Sequence, residues 1–159
     1  RLDLVVGPNG SGKSTFVELV IAPRRPGVPF VNADVIAARE PFIAETVFSH
    51  PSKLDLIGRA RAAGYSVALH VLLTPEDLAV TALNTASPPE DTPSRKTRFE
   101  VATRACGRSW QPASGNVYDN SQVDGPQDIA SFAYGFPDGP CHWPAWTPSA
   151  LAGGWPTQT

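Results

Sequence analysis

Apolar positions in this chain follow two periods. Leu2 to Val6, "LDLVV", is a short, nearly continuous apolar run with turn residues directly behind it, which predicts a buried strand. From Lys13 the spacing lengthens. Phe16, Leu19 and Val20 predict one face of a helix running to about Ala22, where "PRRPG" stops it. "VPFVNAD" predicts a second short strand ending near Asn32, and "PFIAE" a third. "HPSKLDLIGRARAAG" predicts a helix opened by Pro51 and closed by Gly64. "YSVALHVLL" is the strongest strand signal, with His70 expected as a satisfied interior or edge residue. "GNVYDNS" predicts a last strand and turn. The Pro- and Trp-rich stretch from 122 to 159 predicts irregular packing over the same domain.

Strand, helix, strand, strand, helix, strand is the alternation of an α/β layer with a mostly parallel sheet. The expected unit is a three-layer domain over 1–121, with 122–159 as a tail packed on it. One join is short. A parallel crossover takes ten to a dozen residues or more, and only Ala33 to Pro41 separate "FVN" from "FIAE". A crossover helix is reduced there to about one turn, or a segment is missing.

Composition narrows the field without choosing a function. At 159 residues the chain is long enough for one domain with a real core. Apolar residues at 42% and charged residues at 18% indicate a globular chain. The net charge of −2 gives no support to a general nucleic-acid or membrane-surface binder. Runs such as "VALHVLL" are too short to span a bilayer, and Arg1 leads straight into a strand rather than a secretory leader. Cys106 and Cys141 make neither a disulfide framework nor a metal spacing, so a reducing cytoplasm is the expected compartment.

The chemistry begins at "GPNGSGKST". Gly7, Gly12, Lys13 and Ser14 fit G-x-x-x-x-G-K-[ST] without a mismatch, between a strand and a helix as that motif requires. By average composition a chance match arises on the order of once in a hundred chains of this size or less. Glycines let the backbone curl so that its N–H groups face phosphate oxygens, and the helix start adds partial positive charge. Gly7, Pro8, Asn9, Gly10, Ser11, Gly12, Lys13, Ser14 and Thr15 are therefore the expected nucleotide-binding residues. Lys13 neutralises the β- and γ-phosphates of ATP, and the Ser14 hydroxyl ligates Mg²⁺. No Asn-Lys-x-Asp stands in the chain to read guanine. "DLIG" (55–58) lies inside a helical pattern rather than after a strand, and no motor machinery is visible. A small phosphotransferase remains.

Ligands of an open parallel sheet sit at the carboxyl ends of its strands. Asp34 falls just past "FVN" and Glu45 closes "FIAE". A carboxylate there can take the proton of an attacking hydroxyl or hold Mg²⁺. Asp34 also suits a helix N-cap ahead of "VIAA", and the two roles can coexist. Thr46, Ser49 and His50 follow Glu45 closely. Thr46 joins Asp34 and Glu45 as an expected substrate contact, whereas His50 reads better as a cap or surface group.

"LDLVVGPNGSGKSTFVE", "FVNADVIA", "PFIAETVFSHPSKLDLI", "GYSVALHVLLTPEDLAV", "VYDNS" and the tail "GFPDGPCHWPAWTPSAL" together resemble the zeta-toxin family of P-loop kinases, over about three quarters of the chain. The resemblance implies ATP-dependent phosphorylation of a sugar hydroxyl, on a nucleotide sugar such as UDP-N-acetylglucosamine, and an antitoxin as a possible protein partner. It implies Lys13 and Ser14 for the nucleotide and Mg²⁺, Asp34 as general base, and Glu45 as an acidic substrate contact.

Two departures stand against it. The family's helix between the "NAD" and "ET" strands is missing. Its helical lid, whose arginines clamp the transferring phosphate, is replaced by the irregular segment 84–115, which has four prolines and none of the family's Arg spacing. A module that binds nucleotide without transferring phosphate is therefore the first alternative. A polynucleotide kinase is the second, supported only by the basic residues between Arg95 and Arg108. One permitted back-translation of Glu90 to Trp110, read one base out of frame, yields a peptide similar to the family's lid. The segment is thus a candidate frameshift product. The gene's nucleotide sequence should encode a lid-like peptide in that frame, and a reading with no such peptide would end the idea.

Overall fold

Leu2–Val6 forms strand β1, buried along its whole length in the computed structural model of the chain. The structure describes residues 1–31, 40–47, 52–75, 77–79, 81, 113–122, 124–133, 136–137 and 141–147. Asp34, Ser49, His50, Cys106 and positions 84–112 lie outside the described residues. Five more strands follow: β2 (Phe42–Thr46), β3 (Val67–Leu73), β4 (Ser114–Asp119), β5 (Gln127–Ala133) and β6 (Phe136–Pro137). They make one sheet in the order β2-β1-β3-β4-β5-β6. β2, β1, β3 and β4 run parallel, and β5 and β6 are antiparallel additions. The fold is α/β with a mostly parallel sheet, as the alternation predicts.

Side chains alternate across a strand, and the core divides accordingly. Leu4, Val6, Phe42, Ala44, Val71 and Leu73 pack on one face with Leu56, Ile57 and Ala60 of helix α2 (Ser52–Ala62). Val5, Ile43 and Leu72 point to the other face and meet Phe16, Val17 and Ile21. Fully burying a side chain such as Phe16 or Ile21 contributes about 1.5–3 kcal/mol, so both faces hold their helical layer by apolar contact.

The first helical segment differs from its simple periodic reading. Helix α1 (Lys13–Phe16) runs into a π turn over Val17–Ile21 and a 3₁₀ turn over Ala22–Arg24. The Ala22 N–H bonds to the Val17 carbonyl, five residues back. Pro23 has no N–H, and its ring would strike the Leu19 carbonyl in a regular helix. The wider turn relieves that clash. The buried face becomes Phe16, Val17 and Ile21, and Leu19, expected on it, is 71% exposed.

Three further expectations are corrected. Within the described part of "VPFVNAD", residues 28–31, a single parallel bridge, Phe30 to Ile43, stands where a strand is expected. It is held by Val31 N–H to Ile43 O and Ile43 N–H to Pro29 O, both 2.9 Å. Strand β4 is not the last, because Gln127–Ala133 pairs with it antiparallel where irregular packing is expected, whereas Cys141, Trp143 and Trp146 do pack on the core without regular structure. Burial of Ile129, Ala130 and Phe132, with the two-residue alternation interrupted by a register shift opposite Val117 and Tyr118, is the apolar pattern that carries β5. The irregular segment expected over 84–115 ends sooner, since Ser114 and Gly115 already belong to β4.

One charge is buried inside this core. Asp3 in β1 is only 1% exposed. Arg1 donates to its Oδ1 from Nε (3.2 Å) and from a terminal nitrogen (2.8 Å), and His70 Nε2 lies 3.2 Å from the same oxygen. A terminal nitrogen of Arg25 stands 3.2 Å from Oδ2, an ion pair without hydrogen-bond alignment. His70 is thus an interior histidine as its strand suggests, but only half satisfied, since its Nδ1 is buried without a hydrogen-bond partner. Burial by itself raises the Asp3 carboxyl, but the hydrogen bonds to His70 and Arg1 and the Arg1 charge outweigh it and hold it below 3.8. A carboxylate depressed in the folded state stabilises fully above 3.8, and this contribution disappears as pH falls through the lower folded value. Asp3→Asn should cost about 3 kcal/mol at pH 7, as breaking a buried ion pair does. In urea melts that deficit should shrink below pH 3.8 as the wild-type carboxylate protonates; equal stability at pH 7 would refute the pairing.

Candidate functional site

The register of β1 builds the site. Val5 pairs with Glu45 and Val6 with Thr46 on one edge; on the other, Val6 pairs with Val71. The loop that leaves β1 at Gly7 therefore emerges beside the ends of β2 and β3. Glu45 shares the face of Val5 and Ile43, the face that carries α1. Its Oε2 accepts a hydrogen bond from Ser14 Oγ at 3.0 Å. Thr46 is buried and, by strand alternation, belongs to the opposite face. The structure thus brings Lys13, Ser14 and Glu45 together and places Thr46 apart from them.

The loop is tightly determined. Ser11 N–H bonds to Pro8 O at 3.2 Å, and Phe16 N–H to Gly12 O at 2.8 Å opens the helix. A side chain at Gly7 would stand 2.8 Å from the Leu72 carbonyl oxygen, so β3 leaves no room there. Gly12 sits at φ +77, where an L side chain is strained, and a methyl group on it would meet Asn120 Nδ2 at 2.7 Å. Phe16 seats the helix start on Tyr118, ring centroids 4.9 Å apart, and on His70 at 6.0 Å. Asn9, Ser14 and Thr15 are exposed on the outer side, while Gly7, Ser11 and Lys13 are buried.

Lys13 is only 9% exposed, and its Nζ donates to the Pro8 carbonyl at 2.9 Å. Burial pushes its ammonium below the ordinary lysine value, and the Glu45 carboxylate opposes that shift. An ammonium held this way lacks a direct anionic partner and gains from one. Ser11 Oγ is a second unsatisfied group, buried with no hydrogen-bond partner. The loop therefore offers a cation, an unpaired hydroxyl and a curled backbone within a few residues, a set suited to an anion.

Asn120 carries a role that its place in "VYDNS" did not reveal. It lies at the end of β4, far away in sequence, yet its Nδ2 donates to Ser11 O at 2.9 Å. Its backbone N–H bonds to Leu73 O at 2.8 Å. Only an Asn immediately after an apolar strand could have hinted at this, and that signal is common at strand ends. A separate cavity of about 410 Å³ opens at the other end of the sheet, among Arg1, Arg61, Tyr65, Ser66, Ser114 and Asn116. It lies at the amino ends of β1, β3 and β4, away from the loop.

Among the described residues no group of three His, Cys, Asp or Glu side chains could hold a metal ion, and no helix is long and apolar enough to cross a membrane. No protein-family profile matches the chain, and no curated protein does. Solved structures of similar fold exist. A chain in the native AvrRxo1-ORF1:-ORF2 complex superposes with a TM-score of 0.62 at 14% identity, over 86% of this chain and 60% of that one. The same complex with sulphate ions gives 0.60 over the same shares, and the complex with ATP gives 0.62 over 86% and 59%, both at 14% identity. The chain thus spans about 60% of the length of the chains it resembles, and the likeness is one of fold.

Gly12→Ala should lower stability by about 1–3 kcal/mol, from left-handed strain and the displaced Asn120 amide. Thermal melts of the two proteins check this, and an unchanged midpoint would contradict the loop conformation.

Proposed function

We propose that the chain is an ATP-binding phosphotransferase of zeta-toxin type. It transfers the γ-phosphoryl group to a hydroxyl of a nucleotide sugar such as UDP-N-acetylglucosamine. The observation that carries this reading is the loop itself: a buried Lys13 without an anionic bond and a Ser14 hydroxyl held by Glu45, at the carboxyl end of the central strand. Support comes from the solved complexes of like fold, one with ATP and one with sulphate, an anion similar in size and charge to a phosphoryl group. Those chains were solved as two-component complexes, which supports an antitoxin-like protein partner here.

In this reading Lys13 exchanges the Pro8 carbonyl for the β- and γ-phosphates. The exchange relieves a desolvated charge. Ser14 would be the protein's ligand to Mg²⁺, with its hydroxyl held by Glu45. Mg²⁺ in such a site neutralises charge on the phosphates. Asp34 takes the proton of the acceptor hydroxyl as that oxygen bonds to the γ-phosphorus and the bond to the β-phosphate oxygen breaks, releasing ADP. Glu45 orients Ser14 and borders the acceptor. The kinase-like unit reaches past residue 121, since β5 and β6 belong to the same sheet.

A second reading, nucleotide binding without transfer, is favoured by the absence of the family's arginine spacing from 84–115. An arginine clamp is worth about 10³- to 10⁵-fold in phosphoryl transfer. ATP consumption measured with and without UDP-N-acetylglucosamine separates the two, since acceptor-stimulated turnover supports transfer and bound but unconsumed ATP supports the second reading. Lys13→Ala should weaken MgATP binding roughly a hundredfold, the loss of two charged hydrogen bonds at about 1.5 kcal/mol each. Unchanged affinity would remove the phosphate assignment. Asp34→Asn should spare MgATP affinity and lower transfer by about 10²- to 10⁴-fold; normal turnover would exclude Asp34 as the base.

A further inference from the structure

Asn120 is joined to three parts of the molecule. Its N–H bonds to Leu73 O at the end of β3 (2.8 Å), its Nδ2 donates to Ser11 O in the loop (2.9 Å), and it directly follows Asp119, the last residue of β4. The turn that orients it is also fixed, because Ser121 N–H bonds to Asp119 Oδ1 at 2.9 Å and Asp119 is buried. Gly12 leaves space for the amide, since a methyl group there would overlap Nδ2.

This contact constrains one peptide plane. In a trans peptide the carbonyl of residue 11 and the N–H of residue 12 point in opposite directions, and no peptide bond in the described chain is cis. Holding Ser11 O on Asn120 therefore turns the Gly12 N–H the other way. Gly12, at φ +77, has little rotational resistance of its own, so the plane depends on an outside anchor.

We propose that Asn120 is a positioning residue for the nucleotide loop: by holding the Ser11 carbonyl, it aims the Gly12 N–H at the triphosphate of ATP. The proposal rests on the phosphate-binding reading of the loop. It also links that loop to the ends of β3 and β4, the same carboxyl edge at which an acceptor must bind.

The chemistry predicts distinct variants. Asn120→Ala removes the donor and should weaken MgATP and Mg-tripolyphosphate alike by about five- to tenfold, the worth of one hydrogen bond. Asn120→Asp sets a carboxylate against the Ser11 carbonyl and should weaken both further at pH 8. Protonation restores an O–H donor, so the ratio of its dissociation constant to that of the wild type should fall as pH drops from 8 toward the carboxyl's own pKa, about 3.9 for an ordinary Asp. A purely structural role would not produce that recovery in a ratio referenced to wild type at each pH. If Asn120→Ala unfolds, the Asp variant carries the test through its pH profile, with melting curves confirming that it stays folded. Wild-type affinity in Asn120→Ala, or a pH-independent ratio for Asn120→Asp, overturns the assignment. Loss of binding in Lys13→Ala alongside either result would leave the phosphate loop standing and remove only Asn120. A wild-type protein that binds neither probe overturns both.

Discussion

Strand β1 is hydrogen-bonded to a parallel neighbour on each side, and the rest of the structure depends on that double pairing. A strand buried on both faces and both edges has one exit, a sharp turn at its carboxyl end. The turn must curl immediately because β3 closes over Gly7. Parallel register then delivers the ends of β2 and β3 to the same place, and β4 follows through its pairing with β3. Glu45 and Asn120 reach the loop for this reason, although neither is near it in sequence.

The two ends of β1 handle buried charge differently. At the amino end Asp3 is surrounded by Arg1, Arg25 and His70, an arrangement that locks the start of the strand to β3 and to the end of the first helical segment. At the carboxyl end Lys13 is nearly as deeply buried but bonds only to a loop carbonyl, with Glu45 engaged by Ser14. A neutral acceptor is a weaker partner than an anion for a desolvated ammonium. The first charge is settled within the fold, and the second is left able to exchange its partner.

Local signals in the chain were legible where one residue sets a backbone constraint. The glycines, lysine and serine of "GPNGSGKST" foretell the curled loop, and "LDLVV" and "VALHVLL" foretell central strands. Pro23 was read as a stop, yet its effect reaches upstream as a widened turn that exposes Leu19. That consequence depends on a clash one turn back, which periodicity does not record. "VPFVNAD" has the composition of a strand, but its described residues 28–31 make a single bridge to Ile43, so pairing geometry overruled propensity there. β5 was hidden by the prolines around it, although Ile129, Ala130 and Phe132 find an open edge on β4.

The sequence by itself determined the α/β alternation, the buried central strand and the curled Gly-rich loop, because these follow from hydrophobic period and from the φ, ψ freedom of glycine over a few residues. Tertiary structure decided which distant groups complete the loop: Glu45 on its face and not Thr46, and Asn120 from the far strand. It also decided that Asp3 is a structural charge. Those outcomes depend on strand order and register, which arise from the packing of segments scores of residues apart and leave no periodic trace in any one of them.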